Sequence, residues 1–328
     1  MLIKILKIKK KNLYLHTLIF FSVFFFWFLF NINERINIDL DNITDLSRYN
    51  SSFEFYTLDI LLNEKLNSDP GYYFFTFFLN KFGINFEIFL FFSFYAYLLI
   101  IIKIFYKLTN LNNSSKINLI LILISFFWMN SIIGVVLRQG LAFILLAYCL
   151  FLNRSDKKFK NYLVFSLAVL FHFSAIIFMP ILFIKNFSKK KILLIDLILI
   201  LVILFYSLGL IKFTSFILID LISYLEIDPR AIQYSNHFTS GFSIFKLMAI
   251  IIPIFAIRMI IIKDLTSKEI FIKIYSFYCL AAIVGMMLSQ QAYYDRILLY
   301  AWSISPIFLV FGFYSFIILV NRKNINHT

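Results

Sequence analysis

Three ionisable side chains, Arg138, His172 and Arg296, lie within or beside long apolar runs of the sequence. Ionisable groups at membrane depth cost about 2.5 to 3.5 kcal/mol each on insertion scales, which makes each one a candidate for function. A guanidinium presents a planar fork to phosphate oxygens and stays charged, so Arg138 and Arg296 together would suit a pyrophosphate group. A neutral histidine is a competent general base. The three residue types therefore indicate a site that binds phosphate and accepts a proton.

Each of these residues also has a purely structural explanation. Arg138 could extend its guanidinium to lipid headgroups from a helix end. His172 could donate a hydrogen bond to a neighbouring helix, and Arg296 could anchor the start of the last apolar run. The functional interpretation therefore requires that the three side chains come together.

The sequence contains no motif for a nucleotide, a metal or another cofactor. It has no Gly-rich phosphate loop and no His pair at helical spacing. Its two cysteines, Cys149 and Cys279, lie far apart in apolar runs, which indicates neither a disulfide framework nor a thiolate metal site. We therefore expect neither a cofactor nor a bound metal.

The composition excludes a water-soluble enzyme. Of 328 residues, 62% are apolar and 15% charged, whereas soluble domains contain about 45 to 50% apolar residues. The net charge of +14 alone could suggest a nucleic-acid ligand, but most Lys and Arg form short clusters between apolar runs. That placement is typical of cytoplasmic loops beside an anionic leaflet, so we expect a bilayer and no nucleic acid as the partner.

The elements that would position the three side chains are membrane-spanning helices. A crossing needs roughly 17 to 25 apolar residues. We predict one all-α integral membrane domain over residues 1–328, a polytopic bundle of about eight to ten transmembrane helices, some of them short or re-entrant. The runs long enough to cross are residues 13–30, 86–106, 117–133, 135–152, 192–209, 242–262, 270–288 and 297–320.

Charge distribution assigns the loops to sides of the membrane. Residues 31–71 carry eight of the chain's 17 acids, which predicts an extracytoplasmic loop: Glu34, Asp39, Asp41, Asp45, Glu54, Asp59, Glu64 and Asp69. Residues 72–80 are apolar but too short to cross, so we expect an interfacial half-helix that roofs a cavity open to the outside. Residues 211–241 form a second extracytoplasmic loop, and both chain termini are cytoplasmic.

The segment 162–184 is long enough to cross, yet basic clusters flank both of its ends. One full crossing would place the second cluster outside, against the positive-inside rule. A hairpin of two half-helices with His172 near its apex keeps both clusters in the cytoplasm. Such half-helices are tolerated only where they line a cavity. The rival topology crosses fully here and uses residues 211–226 as another span.

Three patches of the sequence resemble one family. The first is Asp69-Pro70-Gly71-Tyr72 with the aromatic residues that follow it. The second combines Leu137-Arg138-Gln139 with Leu170-Phe171-His172-Phe173-Ser174. The third is Asp295-Arg296 before the final span. Together the patches resemble the EpsG-like, Wzy-type polysaccharide polymerases over nearly the whole chain.

The resemblance implies a GT-C-like integral-membrane glycosyltransferase of the bacterial inner membrane. Such an enzyme joins oligosaccharide repeat units at the outer face of that membrane. Its substrates are undecaprenyl-pyrophosphate-linked oligosaccharides, and its further partners would be a chain-length regulator and a flippase of the same pathway. The product class would be O-antigen, capsule or exopolysaccharide.

The resemblance also implies roles for individual residues. Arg138 and Arg296 would supply the cations for the departing pyrophosphate, and His172 would act as the base for the acceptor hydroxyl. Side chains near these three would bind the substrate, and the expected set is Gln139, Asp45, Tyr49, Asp69, Tyr72 and Asp295.

Two other function classes stay open at the level of sequence. A polyprenyl-phosphate-dependent glycosyltransferase could use the loop acids Asp39 and Asp41 with a divalent metal. A lipid-linked oligosaccharide transporter would also be basic and polytopic, but transporters commonly contain internal repeats, and none is visible here. We rank the polymerase first, the other glycosyltransferase second and the transporter third.

Overall fold

The described part of the chain is helical. The computed structural model describes residues 49–50, 53, 69–108, 136–153, 158–183, 189–211, 243–261, 268–289 and 294–325, and it contains no strand within them. The all-α prediction is therefore confirmed for these residues. Several predicted segments lie outside the described residues: the spans 13–30 and 117–133, the acidic loop up to residue 68 apart from residues 49, 50 and 53, and the loop 212–241.

The first half of the described chain contains four main helices. α1 is Pro70–Lys81 and α2 is Phe86–Leu108. α3 is Leu137–Ala147, and a π-helical turn, Tyr148–Leu152, continues it. α4 is Lys158–Phe171. These helices cover the predicted runs 86–106 and 135–152 and the expected half-helix 72–80.

The second half continues the helical pattern. A 3₁₀ helix, Phe173–Phe178, leads into the short α5, Met179–Phe183. The remaining helices follow the predicted spans 192–209, 242–262, 270–288 and 297–320. They are α6, Lys189–Ser207; α7, Ile244–Ile261; α8, Lys268–Met287; and α9, Tyr294–Ile325.

Among the described residues, two helices are long and apolar enough to cross a membrane by themselves. Phe86–Leu108 and Ile270–Met287 have mean hydropathies of 2.4 and 1.9. Shorter apolar helices accompany them, and their bounds are Leu137–Leu152, Phe173–Phe183, Ile192–Ser207, Ile244–Ala256 and Arg296–Gly312.

The outward faces of the peripheral helices are apolar. Leu193 on α6 is 71% exposed, Phe245 on α7 is 84% exposed, and Phe159 on α4 is 81% exposed. Large apolar side chains in such number would be unfavourable in water but not in hydrocarbon. The helix composition and these exposed faces indicate a membrane protein.

The chain reverses direction at His172. α4 ends at Phe171, and His172 itself is extended, with φ −159° and ψ 117°. The ring centroids of Tyr162 and Phe183, at the two far ends of this segment, lie 6.1 Å apart. The segment therefore folds back on itself, and its apex is His172. The 14 residues of α4 make the first arm about 21 Å long.

The apex of this hairpin packs into the centre of the bundle. The Phe178 ring stacks on Phe277 of α8 with a centroid separation of 4.0 Å, and it meets the Tyr300 ring of α9 at 5.0 Å. Phe143 of α3 contacts the same rings. α3, the hairpin, α8 and α9 thus share one aromatic core, and this core holds the ends of several elements close together.

Candidate functional site

Asp69 is the residue on which several elements converge. It precedes α1, and Pro70 fills the first helical position, where a fixed φ and a missing N–H are both tolerated. The Asp69 side chain makes no cap hydrogen bond to its own helix. Only 1% of it is exposed, and its carboxylate instead binds residues of α3 and of the hairpin.

The Asp69 carboxylate accepts hydrogen bonds at both oxygens. Arg138 donates from Nη1 to Oδ2 at 2.7 Å. The backbone N–H of Phe173 donates to Oδ1 at 3.2 Å, and Nδ1 of His172 lies 3.1 Å from the same oxygen. Asp69 therefore caps the 3₁₀ helix at the hairpin apex while it pairs with the guanidinium.

These contacts keep Asp69 ionised. Burial alone would raise the pKa of its carboxyl group. The hydrogen bond and charge of His172, the charge of Arg138 and the amide of Phe173 outweigh burial, so the pKa of Asp69 lies below its usual value of 3.8. Because a carboxylate only accepts hydrogen bonds, Nδ1 of His172 must carry the hydrogen. The charge of His172 acts on Asp69 only when the imidazole is protonated, whereas in the neutral form, with its hydrogen on Nδ1, the acceptor lone pair is on Nε2.

Two tyrosines flank the Arg138 guanidinium. Its Nε donates to the Tyr49 hydroxyl at 3.3 Å, and Nη1 lies 3.2 Å from the Tyr73 hydroxyl. The guanidinium carbon is 5.4 Å from the Tyr49 ring centroid and 5.8 Å from that of Tyr73. Within the described part of the chain, Nη2 makes no hydrogen bond. The side chain is 15% exposed, so the guanidinium can still receive an anion.

A glycine allows the start of α1 to reach the hairpin. A Cβ atom at Gly71 would lie 2.9 Å from Cβ of Leu170 and 3.0 Å from its carbonyl carbon and oxygen. One turn further along α1, the Phe75 ring meets Phe171 at 5.5 Å. The close approach at Gly71 brings Asp69 within hydrogen-bonding distance of His172.

Two hydrogen bonds tie the start of α9 to this site. The side-chain amide of Gln139 donates from Nε2 to the backbone carbonyl of Arg296. One turn further along α9, the hydroxyl of Tyr300 lies 3.1 Å from Oγ of Ser174. Arg138 and Gln139 are neighbours in sequence, so Arg296 enters α9 beside the start of α3.

The structure thus brings together Arg138, His172, Asp69 and Tyr49 among the predicted site residues, and it places the Arg296 backbone beside Gln139. The Tyr72 ring is buried, with its centroid 5.7 Å from that of Tyr49. Asp45 and the alternative loop acids Asp39 and Asp41 lie outside the described residues, as does the side chain of Asp295.

Two contacts at the site were not predicted from the sequence, those of Tyr73 and Tyr300. Both follow from helical periodicity. Tyr73 lies four residues after Asp69 and Tyr300 four residues after Arg296, so each shares a helix face with a residue already singled out. Tyr72, one position away, turns toward the core.

The arrangement can bind an anion and accept a proton. Arg138 supplies donors for phosphate oxygens, and His172 presents Nε2 as a proton acceptor. Within the described ranges, no three His, Cys, Asp or Glu side chains group as metal ligands.

Comparisons with known proteins give one result. No curated protein and no solved structure matches the chain. The model of the EpsG family matches residues 16–327, which is nearly the whole chain. The resemblance inferred from the three sequence patches is thereby confirmed, and the chain belongs to the EpsG family.

Proposed function

We propose that this protein is a polysaccharide polymerase that joins oligosaccharide repeat units carried on undecaprenyl pyrophosphate at the outer face of the inner membrane. The EpsG family is a Wzy-type polysaccharide polymerase family. The observation that carries the proposal is the contact of Arg138 and His172 with one ionised carboxylate, Asp69. This set supplies an anion binder and an oriented base.

His172 is the general base in this proposal. Nε2 takes the proton from the acceptor hydroxyl as that oxygen forms a bond to the anomeric carbon of the donor sugar. The bond from the anomeric carbon to the pyrophosphate oxygen breaks, and the leaving pyrophosphate keeps the electron pair. A positioned base of this kind accelerates a reaction by about 10² to 10⁴-fold.

Asp69 acts through His172 rather than on the substrate. Its carboxylate holds the imidazole by Nδ1 and stabilises the imidazolium that forms when Nε2 takes the proton, as in an Asp-His pair of a hydrolase. The carboxylate is buried and binds Arg138, His172 and the Phe173 amide. Asp69 is therefore a positioning residue in the proposal, whereas the sequence analysis placed it among the substrate-binding side chains.

Arg138 and Arg296 stabilise the leaving group. Asp69 balances the charge of Arg138 in the absence of substrate, so a pyrophosphate adds more negative charge than Arg138 alone can compensate. Arg296 begins α9 beside α3 and supplies the second cation. By analogy with oxyanion donors, the loss of one such group costs about 3 to 4 kcal/mol of barrier.

The membrane arrangement in the proposal is a polytopic, GT-C-like bundle with both termini in the cytoplasm. The hairpin supports this arrangement because its two ends lie side by side. One end carries Lys158 and Lys160, and the other end precedes Lys189. From a cytoplasmic start, α4 rises about 21 Å of the roughly 30 Å hydrocarbon core. His172 then lies in the outer half of the bilayer.

The test is His172→Ala in a strain that lacks the chromosomal copy. We expect long-chain polymer to disappear while single repeat units persist and the protein still inserts, because the proton acceptor is lost but Arg138 and the Phe173 amide still bind the Asp69 carboxylate. The control is His327→Ala, which removes an imidazole close to the end of the chain. A normal ladder of chain lengths from the His172→Ala strain would remove His172 from the mechanism.

A further inference from the structure

The stability of the fold does not explain the hydrogen bonding of the Gln139 side chain. Its side chain is fully buried, and Oε1 has no hydrogen-bond partner among the described residues. A buried acceptor without a donor lowers the stability of the folded protein, because its desolvation is not compensated. An apolar residue of the same length would avoid that penalty.

The hydrogen bond that Gln139 does make is also unnecessary for the backbone it contacts. Nε2 donates to the carbonyl of Arg296, which lies in the first turn of α9. In a helix that carbonyl already accepts the N–H four residues later, here that of Tyr300. The side-chain bond therefore does not satisfy an orphan group. Its effect is to fix the first turn of α9 against the first turn of α3.

A second bond holds α9 one turn further along. The fully buried Tyr300 places its hydroxyl 3.1 Å from Oγ of Ser174 on the hairpin. Ser174 is two residues from His172, and Gln139 is adjacent to Arg138. The start of α9 is thus tied both to the helix that carries Arg138 and to the hairpin that carries His172.

We propose that Gln139 and Tyr300 are positioning residues that hold Arg296 in register with Arg138 and His172. The inference rests on the proposed function, in which Arg296 is the second cation for the leaving group. Both side chains are fully buried, so neither touches substrate in this arrangement. Gln139 therefore acts through Arg296 and is not the substrate ligand that the sequence suggested.

The principal test is Gln139→Met. Methionine keeps the length and the unbranched shape of glutamine but has no donor, and it removes the buried acceptor as well. We expect a melting temperature equal to or above that of the wild type. With purified enzyme and a lipid-linked repeat unit, we expect kcat to fall by about 10 to 100-fold with KM unchanged, as for a small misplacement of a catalytic group. A wild-type kcat would overturn the inference.

Tyr300→Phe tests the second bond, since it removes only the hydroxyl and keeps the ring in the core. We expect kcat to fall in the same direction as in Gln139→Met. The matched control is Tyr278→Phe, because Tyr278 is also fully buried and its hydroxyl donates to the Ile250 carbonyl at 2.9 Å between α8 and α7. We expect this control to keep the wild-type kcat. Equal losses in the two variants would reduce Tyr300 to a general packing role.

A double-mutant cycle separates this inference from the proposed function. If Gln139 acts through Arg296, Gln139→Met causes no further loss in the residual rate of Arg296→Ala enzyme. Losses that multiply would overturn the inference alone, because Arg138→Ala and His172→Ala would still report on the polymerase. Full polymer synthesis by those two variants would instead overturn the proposed function, and a fully active Arg296→Ala enzyme would overturn the role of Arg296 on which both depend.

Discussion

Two buried carboxylates of this protein differ in what surrounds them. Asp69 is 1% exposed and lies where α1, α3 and the hairpin apex meet, in contact with a guanidinium, an imidazole and a backbone amide. Asp196 is 7% exposed and lies within α6, where it accepts a hydrogen bond from Tyr275 of α8. Burial is nearly the same, but Asp69 contacts a guanidinium and an imidazole, which can hold an anion and move a proton, whereas the Asp196 carboxylate contacts a tyrosine hydroxyl.

The candidate site is therefore distinguished by the meeting of several helix ends and not by a buried acid alone. Helix ends leave N–H groups without internal partners, and the N–H of Phe173 is one that Asp69 satisfies. Non-helical backbone at membrane depth is tolerated only where protein or a cavity surrounds it. At Asp196 both helices continue, and the contact joins one helix to the other. Three substitutions test this distinction.

The largest effect is expected for Arg138→Ala. The substitution removes a cation from the proposed leaving-group site, which should raise the reaction barrier by about 3 to 4 kcal/mol. It also leaves the Asp69 carboxylate buried without its cation, which should lower the stability by about 3 to 5 kcal/mol. We expect no long-chain polymer and a lower melting temperature in detergent. The double variant Arg138→Ala with Asp69→Ala should regain stability but not activity. An Arg138→Ala protein as stable as the wild type would contradict the ion pair.

A smaller effect is expected for Gly71→Ala. The added methyl group would meet Leu170 at 2.9 Å and shift the start of α1 away from the hairpin, at about 1 to 3 kcal/mol for overpacking. Since Asp69 would move with it, we expect a reduced kcat besides a lower melting temperature.

The matched control lies at the other end of the same helix. Gly83 has φ +71°, and among the described residues no atom lies within 4 Å of an added Cβ. Gly83→Ala therefore strains the backbone by about 1 to 2 kcal/mol without touching the site. We expect it to lower the melting temperature and leave kcat unchanged. Equal losses of kcat in the two glycine variants would show that Gly71 has no special relation to the site.

The smallest effect is expected for Asp196→Asn. Asparagine keeps an acceptor oxygen for the Tyr275 hydroxyl, and hydrogen bonds between membrane helices are worth about 0.6 kcal/mol on average. We expect a normal ladder of polymer lengths and a nearly unchanged melting temperature. Loss of polymer in this variant would contradict the distinction between the two acids, because Asp196 would then be as important for activity as Asp69.

The sequence predicted the helices better than the contacts between them. The runs 86–106 and 270–288 are long and apolar, so length and hydropathy alone indicate helices. Charge parity indicated the reversal at His172, because basic clusters flank both ends of its segment. These predictions depend on local composition and on one rule of membrane orientation.

The site was predicted only in parts, since its geometry depends on tertiary packing. The motifs around Gly71 and Leu170 stood out separately, but nothing in their spacing showed that the two residues touch. Asp69 was placed among the substrate-binding side chains, and nothing in the sequence showed its three partners, which lie about 70 to 105 positions away in the chain. Tyr73 could have been found by helical periodicity from Asp69, whereas the bond from Gln139 to a backbone carbonyl leaves no signal in the sequence.

The short first arm of the hairpin has a consequence for the lipid environment. In a chain embedded as proposed, α4 has a constant length of 14 residues, or about 21 Å. This length sets the height of the imidazole above the inner headgroups. A bilayer with longer acyl chains raises the outer water surface but not the imidazole. The distance from the outer water surface to the reacting hydroxyl, and with it the reaction rate, would then depend on the fatty-acid composition of the cell.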